Sequence, residues 1–79
     1  MKTINIEYFA ILRDHAGLDS ESLQTTAETA RQLYAELAAR HSFPELASLK
    51  VAINDEFGDW EAVLADGDSI VFIPPVAGG

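Results

Sequence analysis

Four consecutive apolar residues, Ile70-Val71-Phe72-Ile73, run directly into Pro74-Pro75, and this junction restricts the fold more than any other stretch. A short apolar run with no polar alternation predicts a strand covered on both faces, hence one in the middle of a sheet. The prolines then end it, because each fixes φ and lacks the N–H that a ladder needs. From the other side, Ala65-Asp66-Gly67-Asp68 is a turn sequence that feeds the strand.

The strand needs neighbours, and three other stretches offer them. Ile4, Ile6 and Tyr8 alternate with Asn5, Glu7 and Phe9, the period-2 pattern of a strand with one face in the core, which puts Phe9 on the outer face. Charge and a glycine interrupt the pattern from Arg13 to Gly17, and a second strand is expected from about Glu21 to Thr25, centred on Leu23, so that the pair forms a hairpin with a long turn. Val51 and Ile53 alternate with Ala52 in a third strand; Asp55-Glu56-Phe57-Gly58 is expected to turn it, with Trp60 on a short returning segment. Between these lies a single helical signal. Thr29 and Gln32 have capping-box spacing, and Ala30, Leu33, Tyr34, Leu37 and Ala38 recur at i, i+3, i+4, i+7 and i+8, with the helix ending near His41. Pro44 prevents simple continuation, leaving room for a short extra turn from Pro44 to Leu49. One helix packed across one face of a sheet is the economical arrangement, an α+β roll. If the first and last strands are adjacent they must run parallel, since a helix-containing connection separates them.

Seventy-nine residues make one domain with a small core that must be well packed. A chain that is 48% hydrophobic and 23% charged is folded rather than disordered. Its apolar runs are too short to span a bilayer, and Met1-Lys2-Thr3-Ile4-Asn5 lacks the apolar segment of a signal peptide, so a cytoplasmic location is expected. There is no Cys, hence no disulfide and no thiol to hold a metal, a sulfur atom or an acyl group. A formal charge of −8 repels nucleic acid and anionic membranes and favours a partner with a basic face.

Side-chain chemistry within the body is unpromising. Asp55, Glu56, Asp59, Glu61, Asp66 and Asp68 place six acids in fourteen residues, yet Phe57 stands where a calcium loop needs a ligand, and Asp66 and Asp68 flank the turn-forming Gly67. His15 and His41 are far apart and read as surface residues; no metal site is expected. The reactive feature lies at the C-terminus. After Ile73 come Pro74, Pro75, Val76, Ala77, Gly78 and Gly79, which could reach roughly 20 Å in extended form. Two prolines favour a stiff polyproline II exit, and two glycines allow a terminal carboxylate to enter a slot too narrow for other residues. Val71 and Ile73 should point away from the helix, onto the face of Phe9. Phe9, Phe57, Ile73 and Val76 would form an apolar docking patch leading into the tail.

The residues that carry these features resemble those of a known family. Tyr8-Phe9-Ala10-x-Leu12-Arg13, the helix, Leu64-x-Asp66-Gly67-Asp68 and, above all, Phe72-Ile73-Pro74-Pro75-Val76-Ala77-Gly78-Gly79 look like the small, sulfur-carrier subunit of molybdopterin synthase, over essentially the whole chain. The stretches from Ser20 to Glu28 and from His41 to Leu49 match nothing diagnostic. The resemblance implies a ubiquitin-like β-grasp: a mixed sheet, one main helix across one face, and first and last strands parallel and central. Residues 1–73 would form the domain and 74–79 an extended tail. It further implies that Gly79 is adenylated by a ubiquitin-activating-like adenylyltransferase that consumes ATP, then converted to a thiocarboxylate. Pro74, Pro75, Val76, Ala77 and Gly78 would thread the tail into the large synthase subunit, in a heterotetramer of two small and two large chains. There sulfur would pass to cyclic pyranopterin monophosphate, giving molybdopterin as product on the partner. Phe9, Phe57 and Ile73 would be the partner-binding patch, and the small chain would bind no cofactor and have no activity alone. Gly-Gly by itself also fits a sulfur carrier for thiamine thiazole synthesis, or a ubiquitin-like modifier that forms isopeptide bonds.

Overall fold

The computed structural model describes residues 1–43 and 49–74. In chain order the elements are β1 (Lys2–Tyr8), α1 (Ala10–Ala16), β2 (Ser20–Thr25), α2 (Ala30–His41), β3 (Lys50–Ile53), β4 (Glu56–Gly58) and β5 (Ser69–Ile73). The strands form one sheet in the order β2-β1-β5-β3-β4. β5 is central, as its apolar run requires, and pairs parallel with β1, Ile6 opposite Ile70 and Tyr8 opposite Phe72. Its other neighbour, β3, is antiparallel, Val51 opposite Phe72 and Ile53 opposite Ile70.

The inner rows of this sheet form the core. Ile4, Ile6, Tyr8, Leu23, Val51, Ile70 and Phe72 are buried together with Leu12, Ala30, Leu33, Leu37 and Leu64. Burial of Leu33 and Leu37 alone contributes about 1.5–3 kcal/mol each. The start of α2 is held from two sides. Thr29 accepts a hydrogen bond from the Gln32 N–H through its side chain, while Gln32 Oε1 accepts from the Glu28 N–H. The Ala30 and Arg31 N–H groups donate to the Ala62 and Trp60 carbonyls, so donors that a helix start leaves free are satisfied by the β4–β5 connection. Tyr34 packs edge-on to Phe72 and Trp60, and Trp60 stacks on Phe72 at 5.8 Å.

Four local expectations are corrected. Residues 10–16, expected as part of a long turn, form helix α1. It has no side-chain cap and buries only Leu12, so it lacks the repeated apolar spacing that identifies a helix, and Gly17 ends it at φ 77° with its N–H on the Arg13 carbonyl. The β3–β4 turn is Asn54-Asp55, both at positive φ (51° and 71°), not residues 55–58. Two left-handed central residues define a two-residue hairpin, a conformation that Asn and Asp tolerate. Phe57 is therefore a strand residue opposite Ala52, and Trp60 lies in the turn beyond β4. Third, Val71 and Ile73 are only half-buried: the helix covers one face of β5, and the other is not closed by the described residues. The turn expected over Pro44–Leu49 lies outside the described residues except for Leu49.

The fourth concerns His41, expected on the surface. It is largely buried, its Nε2 2.8 Å from Glu21 Oε2, which also accepts the Tyr8 hydroxyl at 2.5 Å. Burial alone would push the Glu21 carboxyl up, but the hydrogen bonds from Tyr8 and His41 and the nearby Arg40 charge outweigh it and hold the carboxyl below its ordinary value. Tyr8 is pushed well above its ordinary value, first by burial and then by the Glu21 carboxylate. This cluster ties the end of α2 to the edge strand β2.

Candidate functional site

Strand pleating sorts the site residues before any chemistry is considered. Tyr8 faces the core, so Phe9, whose backbone is still extended (φ −128°, ψ 151°), belongs to the opposite face. The β1–β5 register runs Glu7–Val71 and ends at Tyr8–Phe72, so Phe9 and Ile73 each follow the last pair directly. On the other side of β5, Ala52 pairs with Val71 and Phe57 with Ala52. The outer face thus carries one continuous row, Phe57–Ala52–Val71, with Phe9 and Ile73 on the same face at the ends of their strands.

Of the residues selected from sequence, Phe9, Phe57 and Ile73 share this face, with Phe9 44% and Phe57 74% exposed. Phe57 and Ile73 are not opposite one another; Ala52 and Val71 lie between them. Ala52 was missed because nothing in its local sequence distinguishes it; its place in the row follows from pairing between strands remote in sequence. Ile73 also faces Lys50 across the β3–β5 ladder, which puts an exposed ammonium group at the root of the tail. Pro74 is buried. Pro75, Val76, Ala77, Gly78 and Gly79 lie outside the described residues.

The same face changes character along β5. At the Ile73 end it is apolar but for Lys50, whereas the Ser69 end is lined by Asn5, Glu7, Ser20, Ser22, Asp55 and Ser69. Ser22 Oγ donates to Asn5 Oδ1 at 3.0 Å across β1 and β2. Among the described residues no three His, Asp or Glu side chains converge as ligands for a metal ion. Much of the acid cluster noted in the sequence serves the backbone instead. Asp66 Oδ1 accepts the Thr3 N–H, Asp68 Oδ2 the Ala65 N–H and Asp59 Oδ1 the Glu61 N–H. Of the six acids, Asp59, Asp66 and Asp68 thus accept backbone N–H groups and Glu61 pairs with Arg31, whereas Asp55 and Glu56 have no side-chain partner among the described residues.

A mixed five-stranded sheet with parallel first and last strands at its centre, crossed on one face by a single long helix, is the ubiquitin-like β-grasp. The small archaeal modifier protein 1 of Haloferax volcanii has this fold in common with the chain, at a TM-score of 0.81 over 96% of the chain and 100% of that protein, with 20% identity. The chain belongs to the ThiS family, whose sequence profile matches residues 6–79. It is 35% identical to the molybdopterin synthase sulfur carrier subunit of Haemophilus influenzae, over 96% of the chain and 99% of that protein. The human protein of the same name is 36% identical over 96% of the chain and 93% of its own length. A complex of subunits 1 and 2 of the molybdopterin-converting factor of Helicobacter pylori contains a similar chain, with a TM-score of 0.68, 25% identity and coverage of 98% and 99%.

Proposed function

We propose that this chain is a sulfur-carrier subunit of molybdopterin synthase, carrying sulfur on the C-terminal carbonyl of Gly79. One observation carries the reading: a β-grasp body whose central strand leads into Pro74-Pro75-Val76-Ala77-Gly78-Gly79, in a chain similar over nearly its whole length to proteins of that name. The chemistry follows from what the tail lacks. A carboxylate is ionised at neutral pH and is a poor electrophile. Attack of its oxygen on the α-phosphate of ATP gives an acyl-adenylate and pyrophosphate; hydrosulfide then attacks the carbonyl and displaces AMP, leaving a thiocarboxylate. A persulfide donor instead gives an acyl disulfide, whose S–S bond a thiol reductant must cleave. With no Cys in the chain, that carbonyl is the position at which sulfur is held.

The partner is the large synthase subunit, and the complex of the two subunit types in Helicobacter pylori supports this. A stiff double proline lowers the entropy lost when the tail is inserted, and the glycines let the partner close around the reacting carbonyl. The partner supplies the base and the pterin site, with a heterotetramer as the assembly and a ubiquitin-activating-like enzyme as the source of the adenylate. Phe9, Phe57 and Ile73, with Ala52 and Val71 between them, form the docking surface.

Mass spectrometry of the intact chain after incubation with ATP, activating enzyme and a sulfur donor tests this. The expected result is a mass gain equal to replacing one oxygen by sulfur, confined to the C-terminal peptide, and dithiolene formation when the large subunit and pterin are added. Lysine-linked conjugates without that gain would make the chain a modifier. Sulfur transfer to a thiazole precursor, but not to the pterin, would make it a thiamine carrier.

A further inference from the structure

The polar end of the outer sheet face has no role in carrying sulfur, yet it is built as a groove. It encloses about 570 Å³ and is lined by Asn5, Glu7, Ser20, Ser22, Asp55 and Ser69. Its floor is rigid sheet: Asn5 is opposite Ser69 on one side and Ser22 on the other, and Glu7 is opposite Ser20. Of its three carboxylates, Glu21 is taken up by Tyr8 and His41, which leaves Glu7 and Asp55. Asp19 pairs with Arg13, Glu61 with Arg31 and Glu36 with Arg40, while Asp59, Asp66 and Asp68 accept backbone N–H groups. The Glu7 and Asp55 carboxylates, like those of Asp14, Glu28 and Glu56 outside the groove, have neither an ion-pair nor a hydrogen-bond partner among the described residues.

We infer that this groove receives an arginine side chain of the large synthase subunit, seated between Glu7 and Asp55 while the apolar end of the same face is covered. The inference rests on the sulfur-carrier reading and adds the chemistry by which the partner is oriented. Two properties of the face select that occupant. The groove continues the apolar row through Val71, which belongs to both, so a surface lying on Phe57, Ala52 and Val71 already reaches its rim. Its charge is negative, in a chain of net charge −8, and a planar guanidinium can bond a carboxylate with two donors and use the remaining donors on serine oxygens. The opposite end carries the ammonium group of Lys50, so the face is electrostatically polar along β5. From Ser69 to Ile73 is about 13 Å, enough for a partner to distinguish one orientation from its reverse. Reversal would set a partner arginine against Lys50 and leave Glu7 unpaired.

The test is calorimetric titration of the full chain with the large subunit encoded in the same genome, at low and high salt. The double variant Glu7→Gln/Asp55→Asn is expected to raise Kd about tenfold at low salt, with the difference shrinking at high salt. Its thermal unfolding should match the wild type. Glu56→Gln removes a charge from the same hairpin but on the inner face, opposite Ile53, and should bind like the wild type. The inference is overturned if the double variant binds as tightly as the wild type, or if Glu56→Gln weakens binding equally, which would make the effect one of net charge. A loss confined to capture by the ATP-consuming activating enzyme would also overturn it by assigning the groove to another partner. If the wild-type chain fails to bind the large subunit at all, the sulfur-carrier reading itself falls.

Discussion

The two faces of β5 are built from the same kind of residue and end in opposite states. Ile70 and Phe72, on one side, are fully buried under α2; Val71 and Ile73, on the other, are half-buried at the centre of an open face. An isolated domain gains nothing from leaving such residues uncovered, and large exposed apolar patches mark interaction sites. The difference teaches that an unbroken apolar run reports the central position of a strand. Whether its second face is closed within the chain or by another protein is a separate matter. On our reading one face holds the body together and the other presents the tail to its partner.

Changes to the two faces should therefore separate stability from binding. The largest effect is expected for Phe72→Ala, which empties the site where Tyr34 and Trp60 pack and should cost about 3–5 kcal/mol in urea unfolding. A loss below about 1 kcal/mol would mean that the inner face is not the stabilising one. Next, Phe57→Ala should leave unfolding within about 0.5 kcal/mol of the wild type yet weaken large-subunit binding by about 2 kcal/mol. The reverse pattern would erase the contrast. Phe9→Asp sharpens it further, because Phe9 occupies the N-cap of α1 without a side-chain bond, and Asp is a favoured cap. This variant should remain folded by circular dichroism while its binding is lost.

A smaller effect is expected at the polar cluster on the inner side. Glu21→Gln takes the carboxylate from Tyr8 and His41 and should destabilise by about 1–2 kcal/mol at neutral pH. Because the folded-state pKa of Glu21 lies below the ordinary 4.5, its contribution is complete above that value and is lost as pH falls through the lowered one. The variant should therefore show a shallower acid limb in a plot of stability against pH, and an unchanged limb would remove Glu21 from the account. The smallest effect is expected for Thr29→Ala, about 1 kcal/mol from the lost α2 cap, with partner binding unaltered.

Much of this body was legible in its residues. Helix α2 followed from the spacing of Ala30, Leu33 and Leu37 and from the Thr29 cap, β1 from strict alternation, and the central position of β5 from its four-residue run. Helix α1 was not, since one buried side chain, Leu12, makes no period. The strand position of Phe57 was hidden by a turn that needs two left-handed residues, and the place of His41 by a partner twenty residues away. The candidate site was partly legible: the face of Phe9 and Ile73 came from pleating, whereas Ala52 entered only through cross-strand rows.

The sequence by itself determined where regular structure with a repeating apolar period begins and ends, because period and capping are properties of neighbouring residues. It also set the chemistry available: no thiol, an excess of acids, and a Pro-Pro-Val-Ala-Gly-Gly ending. Tertiary structure decided which strands became neighbours, and so which side chains share a row, which acids were spent on turns and which face stayed open. Those outcomes depend on pairing between segments as distant as Glu7 and Val71, and no local pattern encodes a register that only the assembled sheet defines.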